Sequence, residues 1–394
     1  MKRKAALMLA LLLLCGIQGA PAEAVKIPEI AVPGREVPDT EGLRMVRDMK
    51  AGWNLGNTFD ARDCFWVKDG LDYESAWCGA KTSEALLDAL KAAGFRTIRI
   101  PVSWHNHLDA EGTIDAAWLD RVSEVVSWAY GRDFYVILNI HHDDGEDYYY
   151  PDAAHAESSA AYIRGIWGQL AGKFADFGSR LIFEAVNEPR LTGTDHEWWW
   201  DPADPRCRDA MAQIAALNQV FVDTVRAAGG NNADRYLMVP AYDANPDYAC
   251  SPAFTLPEDP AGRIIVSVHA YTPYEFALQQ PGVSAWSLEN SGQKASVTGF
   301  MDRLYDTFVS RGIPVVIGEF GAMEKNGNLQ SRVDWVSWYV ANARARGLTC
   351  CWWDNHVFSG DGERFGLFDR NAAECVCPEI LEAIMKYCAE PAAE

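Results

Sequence analysis

The sequence is poor in positive charge: 35 Lys and Arg against 55 Asp and Glu give a net charge of -20 over 394 residues. A field of that sign repels phosphate backbones and anionic lipid headgroups, so nucleic acid is excluded as an expected partner. The sequence also lacks a Cys-x-x-Cys pattern, which would indicate zinc, and it lacks Ser/Pro-rich linkers and internal repeats. One large domain without an appended module is therefore predicted.

A long hydrophobic run is missing as well, because the apolar stretch near the N-terminus covers only Ala5–Leu14. A membrane-spanning helix needs about 20 apolar residues, so no span is expected. The stretch follows three basic residues and precedes small residues ending at Ala24, which is the pattern of a signal peptide. We expect residues 1–24 to be cleaved and residues 25–394 to be exported, outside the cell or into the periplasm. A lipid anchor at Cys15 is the minor alternative, although Leu14 suits it poorly.

Ten cysteines are present, and nine remain if Cys15 is removed with the signal peptide. An odd number in an oxidising compartment leaves at least one free thiol. The pairs Cys64 with Cys78 and Cys207 with Cys250 each flank one segment and could form bridges, but spacing alone cannot assign them. The adjacent pair Cys350–Cys351 lies in an apolar run, which indicates buried packing.

Short β-rich runs alternate with amphipathic stretches along the chain. Strands are predicted at Gly52–Leu55, Thr97–Ile100, Tyr135–Ile140, Leu181–Val186, Tyr236–Val239, Ile264–Val268, Val315–Ile317 and Leu348–Trp352. Helices are predicted at Ser83–Ala93, Ala116–Tyr130, Ser158–Phe177, Met211–Ala227, Ser296–Val309 and Ser331–Ala345. Near-continuous apolar strands belong to parallel sheets that are buried on both faces, so this pattern predicts a single-domain α/β fold, a (β/α)8 TIM barrel. The segment between the fifth and sixth strands lacks a clear helix.

Functional groups of such barrels lie at the C-terminal ends of the strands. Glu188 follows the fourth predicted strand between Asn187 and Pro189, and Glu319 follows the seventh after Gly318. Two carboxylates on opposite strands are what cleavage of a glycosidic bond requires, one to protonate the departing oxygen and one to attack or stabilise the anomeric carbon. The alternative for each is a solvated loop acid. A separation of roughly 5 to 5.5 Å between the two carboxyl groups is expected for a retaining enzyme.

Aromatic residues are numerous, with 15 Trp, 15 Tyr and 16 Phe. Sugar rings present flat C–H faces that stack on such side chains, so a carbohydrate ligand is indicated. Trp104, the run Tyr148–Tyr150 and the run Trp198–Trp200 follow strands and could bind outer sugars. For the two runs, packing against their own loops is an equal alternative.

A metal centre is the competing interpretation of His141-His142-Asp143-Asp144, with Glu146 and Asp147 nearby. Adjacent residues on a strand point to opposite faces, so we expect that the two histidines do not face one ion. No metal and no cofactor are predicted.

Five segments, taken together and in this order, resemble family 5 glycoside hydrolases (cellulase family A), which are retaining β-1,4-glucanases. They are Gly52-Trp53-Asn54-Leu55-Gly56-Asn57, Ile98-Arg99-Ile100-Pro101-Val102-Ser103-Trp104, Asn187-Glu188-Pro189, Val268-His269-Ala270-Tyr271 and Ile317-Gly318-Glu319-Phe320-Gly321. The stretches Tyr73-Glu74-Ser75-Ala76-Trp77 and Trp352-Trp353-Asp354-Asn355 are most similar to subfamily 4, which implies endoglucanases and xyloglucanases.

The resemblance implies that Glu188 is the general acid/base and Glu319 the nucleophile. An acid must stay protonated, so a raised pKa is expected for Glu188. Arg99 is expected beside Glu319, holding it ionised, with an inward barrel salt bridge as the alternative. Glu184 is expected to support this network without direct catalysis.

The resemblance also assigns residues that contact the sugar or orient the carboxylates. Asn187 would donate to the sugar 2-hydroxyl, Tyr271 would bond the nucleophile, and Trp353 would stack under the cleaved sugar. The remaining predicted members of the site are His141, His142, His269, Asn54 and Trp104.

The expectation is thus a secreted, monomeric, retaining endo-β-1,4-glucanase that binds β-glucan polysaccharides: cellulose, xyloglucan or mixed-linkage glucan. A β-mannanase or xylanase on the same scaffold is the alternative, since loops choose the sugar. Two further alternatives are a metal-dependent hydrolase and a non-catalytic barrel that binds glycan.

Overall fold

Eight parallel strands, paired in sequence order, form a closed barrel at the centre of the computed structural model, which describes residues 24–389. The barrel strands are Ala51–Leu55 (β1), Thr97–Ile100 (β2), Tyr135–Asn139 (β3), Leu181–Glu184 (β4), Leu237–Pro240 (β5), Ile264–His269 (β6), Val315–Phe320 (β7) and Thr349–Asp354 (β8). β8 pairs with β1, with Trp53 opposite Trp352, and this pairing closes the barrel. The predicted TIM barrel is confirmed. The predicted signal peptide up to residue 23, including Cys15, lies outside the described residues.

Helices surround the barrel, and all six predicted ones are present. The helices are Glu41–Met49 (α1), Tyr73–Ala76 (α2), Glu84–Ala92 (α3), Ala116–Gly131 (α4), Ala156–Lys173 (α5), Pro205–Ala227 (α6), Pro246–Ala249 (α7), Tyr274–Ala277 (α8), Ser291–Thr307 (α9), Leu329–Ala345 (α10) and Pro378–Cys388 (α11). A short hairpin, Phe368–Asp369 (β9) with Glu374–Cys375 (β10), follows the barrel. α6 starts earlier than predicted because the Asp204 side chain caps it, accepting from the backbone N–H of Arg206. Between β5 and β6 lie only a 3-10 turn at Tyr242–Ala244 and the four-residue α7, in keeping with the missing helix signal.

The barrel interior is layered, apolar below and polar above. The lower layer contains Ile137, Ile182, Met238, Ile265, Val316 and Cys351, packed on Met45, Val46 and Met49 of α1. Side chains alternate along a strand, so the position two residues later faces inward again. On β3 and β4 these later positions are Asn139 and Glu184, both fully buried. The apolar plug therefore supports a polar layer directly beneath the C-terminal opening.

The two possible disulfides are not formed in the described chain, where all nine cysteines from Cys64 to Cys388 are free thiols. The Cys64 thiol donates to the Arg62 carbonyl at 3.3 Å and the Cys78 thiol to the Ala80 carbonyl at 3.2 Å, so the two sulfurs bond to their own loop backbones. Cys207 is likewise unpaired with Cys250. The buried packing of Cys350–Cys351 is confirmed, with Cys351 inside the barrel and Cys350 in the helix layer.

No helix within residues 24–389 has the length and apolar character needed to cross a bilayer.

Candidate active site

The two predicted carboxylates face each other across the C-terminal end of the barrel. Glu319 lies within β7, one residue before its end, and Glu188 lies in the loop that follows β4. Carboxylate oxygens of Glu188 and Glu319 come within 4.8 Å of each other, with a nitrogen of His269 completing the group. The two carboxylates are therefore close enough to act on the same glycosidic bond.

Arg99 lies at the centre of the polar layer and contacts the carboxylate of Glu319. Its Nη1 donates to Glu319 Oε1 at 2.7 Å and its Nε donates to Glu184 Oε2 at 2.7 Å. Burial disfavours the charged guanidinium, but the negative charges of Glu184 and Glu319 raise the pKa of Arg99, so it stays cationic. Both interpretations from the sequence hold, since Arg99 is an inward barrel salt bridge and a partner of Glu319.

Amide side chains fix the position of the guanidinium. Arg99 also donates to Asn54 Oδ1 at 3.1 Å and to Asn187 Oδ1 at 2.8 Å. The Asn54 amide nitrogen donates to backbone carbonyls of β7 and β8, including Gly318 at 2.9 Å. Asn54 is therefore a supporting residue within the barrel. Because Asn187 Oδ1 accepts from Arg99, its amide N–H groups remain for a ligand.

Glu184 is fully buried and forms part of this network, as expected from its inward position. It accepts from Arg99, from Asn139 Nδ2 at 3.0 Å and from Ser267 Oγ at 2.5 Å. Both of its oxygens are used, which leaves none directed at a ligand.

Tyr271 and His269 reach the two glutamates from β6 and the residues after it. Tyr271 Oη donates to Glu319 Oε2 at 2.8 Å. Burial and the charge of Glu319 raise the pKa of Tyr271 well above its usual value, so the hydroxyl remains a donor. His269 Nδ1 lies 2.7 Å from Glu188 Oε1 and 3.7 Å from Glu319 Oε1. Gly318 leaves space for this ring, since a Cβ at that position would lie 3.1 Å from His269 Nε2.

The expected raised pKa of Glu188 is wrong for this arrangement. Burial favours the neutral acid, but the hydrogen bond and charge of His269, followed by the charge of Arg190, lower the pKa of Glu188. Burial likewise opposes charge on His269, while Glu319 and the bond to Glu188 raise its pKa above the usual imidazole value. The two pKa shifts therefore run in opposite directions, and each favours the charged form of its group.

The two histidines after β3 both have lowered pKa values. Burial, then the positive charges of neighbouring groups, lower the pKa of both His141 and His142, to about 3 for His142, so both rings are neutral. The Asn139 amide nitrogen lies 3.1 Å from His141 Nδ1 and can only donate, so the proton of His141 is on Nε2.

The expected divergence of the two histidines is also wrong. The His141 and His142 rings are 4.3 Å apart, and a nitrogen of each lies within 4.8 Å of an Asp60 oxygen. β3 ends at Asn139, so strand alternation no longer applies at these positions. Asp143 and Asp144 lie outside this group: Asp143 bonds His105 at 2.6 Å and Asp144 pairs with Arg190 at 2.9 Å.

Of the predicted aromatic platforms, Trp353 lies in β8, one residue before its end, and is 7% exposed. Its ring lies parallel to His141 at 5.8 Å, with an interplanar angle of 6°. Trp104 is not a platform: it is fully buried, and its indole N–H donates to the Asn139 carbonyl at 3.0 Å. Both aromatic runs are partly buried. Tyr149, Tyr150 and Trp200 are buried, whereas Trp198 and Trp199 are 59% and 67% exposed.

Sequence reasoning missed Asp60, Arg190 and Asp243. Asp60 follows β1 and Asp243 follows β5, the two strand ends that the sequence interpretation did not follow. Arg190 donates to the backbone carbonyl of Glu188 at 2.8 Å, and its Nη1 lies 3.8 Å from the Glu188 carboxylate. Arg190 stands two residues after Glu188 in the sequence, and this spacing could have identified it as a member of the site. Trp77, which follows β1, is 37% exposed, and its ring lies 5.8 Å from that of His142.

Comparisons with known proteins agree with this geometry. The family model for cellulase (glycosyl hydrolase family 5) matches residues 61–359. Endoglucanase B of Ruminococcus albus is 40% identical over 351 residues, which are 88% of this chain and 81% of that protein.

Solved structures are similar over nearly the whole chain. A GH5 family lichenase from Caldicellulosiruptor sp. F32 is 55% identical with a TM-score of 0.92, and the alignment covers 93% of this chain and 100% of the lichenase. A GH5-4 broad specificity endoglucanase from Ruminococcus champanellensis, solved with bound cellotriose, is 39% identical with a TM-score of 0.82. That alignment covers 89% of this chain and 100% of the endoglucanase.

Proposed function

The chain belongs to glycosyl hydrolase family 5, the cellulase family, and from this membership we propose that it is a secreted, retaining endo-β-1,4-glucanase. It is a glycoside hydrolase with endoglucanase relatives, and this supports β-glucan hydrolysis. In the proposal Glu188 is the general acid/base and Glu319 the nucleophile. The observation that carries it is the facing pair of carboxylates, with oxygens within 4.8 Å, in two different electrostatic environments.

Glu319 is suited to attack the anomeric carbon because hydrogen-bond donors orient both of its carboxylate oxygens. Arg99 donates to Oε1 and Tyr271 to Oε2, so each carboxylate oxygen has one donor. Attack forms a glycosyl ester with inversion, and hydrolysis of that ester inverts again, so the product retains the β configuration. Asn187, whose Oδ1 is held by Arg99, donates an N–H to the sugar 2-hydroxyl during both steps.

Glu188 supplies the proton through its pairing with His269. The proton moves from His269 Nδ1 to Glu188 Oε1, 2.7 Å away, and then to the glycosidic oxygen as the leaving sugar departs. In the second step the Glu188 carboxylate takes a proton from the attacking water. The charge of Arg190, whose Nη1 lies 3.8 Å from the Glu188 carboxylate, stabilises this carboxylate between the steps.

The fall of activity at alkaline pH is expected to report the loss of the proton that passes between His269 and Glu188. As pH rises through the raised pKa of His269, the pair loses the proton that the leaving group needs, so kcat/KM on polysaccharide falls. In His269→Asn the proton must reside on Glu188 alone, and the alkaline limb moves to lower pH by about one unit or more. Initial rates across pH for both forms check this. An alkaline limb that stays in place in His269→Asn would contradict the shared proton.

The proposed substrates are neutral β-glucans: cellulose, xyloglucan and mixed-linkage glucan. A net charge of -20 disfavours polyuronates, and Trp353 beside neutral His141 provides a flat, uncharged floor. Similarity to a lichenase and to a broad specificity endoglucanase supports more than one glucan linkage pattern.

Internal cleavage is expected because exposed aromatic residues lie on the loops of two separated strands, Trp77 after β1 and Trp198 after β4. The viscosity of soluble β-glucan should fall well before much reducing sugar appears. A panel of β-1,4-glucan, xyloglucan, lichenan, mannan and xylan measures the preference, and glucans should be cleaved fastest. Mannan or xylan cleaved faster than any glucan would support the alternative sugar, and monosaccharide release with lagging viscosity loss would contradict endo action.

Export and oligomeric state complete the proposal. The basic, apolar and small-residue pattern of residues 2–24 supports export with cleavage after Ala24. One copy of the chain contains both carboxylates and the whole Arg99 network, which supports a monomer as the active unit.

A further inference from the structure

Cys78 differs from the other eight described cysteines in the groups that surround its sulfur. It lies in the loop between β1 and α3, two residues after α2, and it is partly exposed. Its thiol donates to the Ala80 carbonyl at 3.2 Å and lies 3.9 Å from the Thr58 hydroxyl. The sulfur is therefore held at a fixed place in the loop while part of the residue is open to solvent.

A histidine and an arginine lie beside this thiol. The imidazole of His356 bonds the Cys78 thiol, and its Nδ1 lies 3.0 Å from the Cys78 carbonyl oxygen. Arg370 is 2% exposed and donates to the Thr58 hydroxyl, while its Nε has no hydrogen-bond partner among the described residues. A basic ring and a buried guanidinium thus lie around the sulfur, on the segments that follow β8 and β9.

These neighbours favour the charged form of the thiol. Burial opposes the thiolate, but the hydrogen bond of His356, followed by the charge of Arg370, lowers the pKa of Cys78. Burial raises the pKa of each of the other eight cysteines. Cys377 is the instructive comparison, because it is also partly exposed and bonds an arginine, Arg332, yet its pKa is raised. The thiolate is the nucleophilic form of cysteine, so the surroundings of Cys78 are those of a reactive thiol.

Cys78 also lies next to residues that border the cleft. Trp77, the exposed aromatic beside the histidine pair, directly precedes it in the chain. On the other side, Thr58 donates to the Gly56 carbonyl at 3.2 Å, and a Cβ at Gly56 would lie 2.8 Å from the Trp353 ring. A bulky group attached to the Cys78 sulfur would therefore displace Trp77 or Thr58, and through Thr58 the backbone that packs on Trp353.

We propose that Cys78 is a thiol-modification site, at which a small disulfide such as oxidised glutathione forms a mixed disulfide that hinders glucan hydrolysis. The Cys78 thiolate attacks one sulfur of the disulfide, a new S–S bond joins that half to the protein, and the other half leaves as a thiolate that takes up the proton lost by Cys78. An added thiol reverses the step by the same exchange. The inhibitory effect rests on the proposed function, whereas the formation of the adduct does not.

Mass spectrometry of peptides from the protein after timed exposure to oxidised glutathione tests the site. Cys78 should acquire the adduct about tenfold faster than any other described cysteine. Cys78→Ser, whose hydroxyl can still donate to the Ala80 carbonyl, should acquire none at this position. His356→Asn removes the ring and suits the positive φ of 60° at that position, and Cys78 should then react about fivefold more slowly. Cys377→Ser is the matched control and should leave the rate at Cys78 unchanged.

Initial rates on soluble β-glucan test the effect of the adduct. Complete modification of Cys78 should lower kcat/KM about fivefold or more, and dithiothreitol should restore it. Cys78→Ser should match the parent before exposure and lose nothing after it. Faster modification of another cysteine, an adduct on Cys78 that leaves the rate unchanged, or equal inhibition of Cys78→Ser would each overturn the proposal. If the unmodified parent cleaves no glucan, the proposed function fails, and the mapped adduct still decides whether Cys78 is the reactive thiol.

Discussion

Glu319→Ala is expected to lower kcat/KM about ten-thousandfold or more on every substrate, from β-glucan to aryl cellobiosides with good leaving groups. The nucleophile is required whatever the leaving group, because no glycosyl ester forms without it. Loss of the carboxylate should leave the protein folded, since Arg99 still bonds Glu184 at 2.7 Å and Asn187 at 2.8 Å. Initial rates on both substrate classes, with thermal unfolding of the same preparation, measure the effect.

A matched control for Glu319→Ala is Glu111→Ala, which removes an exposed glutamate from the loop between β2 and α4. This control should match the parent in rate and stability. A Glu319→Ala protein that kept a tenth of the parent activity on an activated aryl glycoside would show that another group attacks the anomeric carbon.

The barrel was predictable because each strand is buried on both faces and leaves an apolar run of its own. The boundaries were less predictable at the C-terminal ends, where polar residues begin. β7 extends to Phe320, so Glu319 lies inside the strand and not beyond it, because its backbone still pairs with β6 there. Among the helices that the sequence did not reveal, α1 closes the N-terminal end of the barrel and α11 packs on α10.

Trp104 shows why side-chain direction could not be read from position in the motif. It follows β2 at the end of the barrel where ligands bind, yet its indole is buried and bonded to the Asn139 carbonyl. Its backbone N–H donates to Asp143, a residue of the next loop, and that contact turns the chain. Contacts between loops set the direction of such side chains, and these contacts join residues that are far apart in the sequence.

The acid illustrates the same limit in electrostatic terms. The requirement for a proton near Glu188 follows from chemistry alone, but its location depends on His269, which is 81 residues away in the sequence. A histidine at hydrogen-bond distance reverses the direction in which burial alone would shift the pKa of Glu188. Motif order identified both residues without revealing that they bond each other.

Glu188→Ala is expected to distinguish substrates by their leaving groups. On β-glucan, where the departing sugar needs protonation, kcat/KM should fall about a thousandfold. On 2,4-dinitrophenyl β-cellobioside the first step needs no acid, so the glycosyl ester on Glu319 should still form, and its hydrolysis becomes the slow step. A burst of dinitrophenol followed by slow turnover is the expected record.

Azide then identifies the face of the attack. The space left by the Glu188 side chain lies on the β face of the ester, and azide is a nucleophile that needs no general base. It should restore turnover of Glu188→Ala and give the β-cellobiosyl azide, because azide displaces Glu319 from the opposite side. If Glu188 were the nucleophile instead, azide would replace it directly and the product would be the α-azide. The anomeric configuration of that one product, read by NMR, therefore separates the two assignments of the carboxylates.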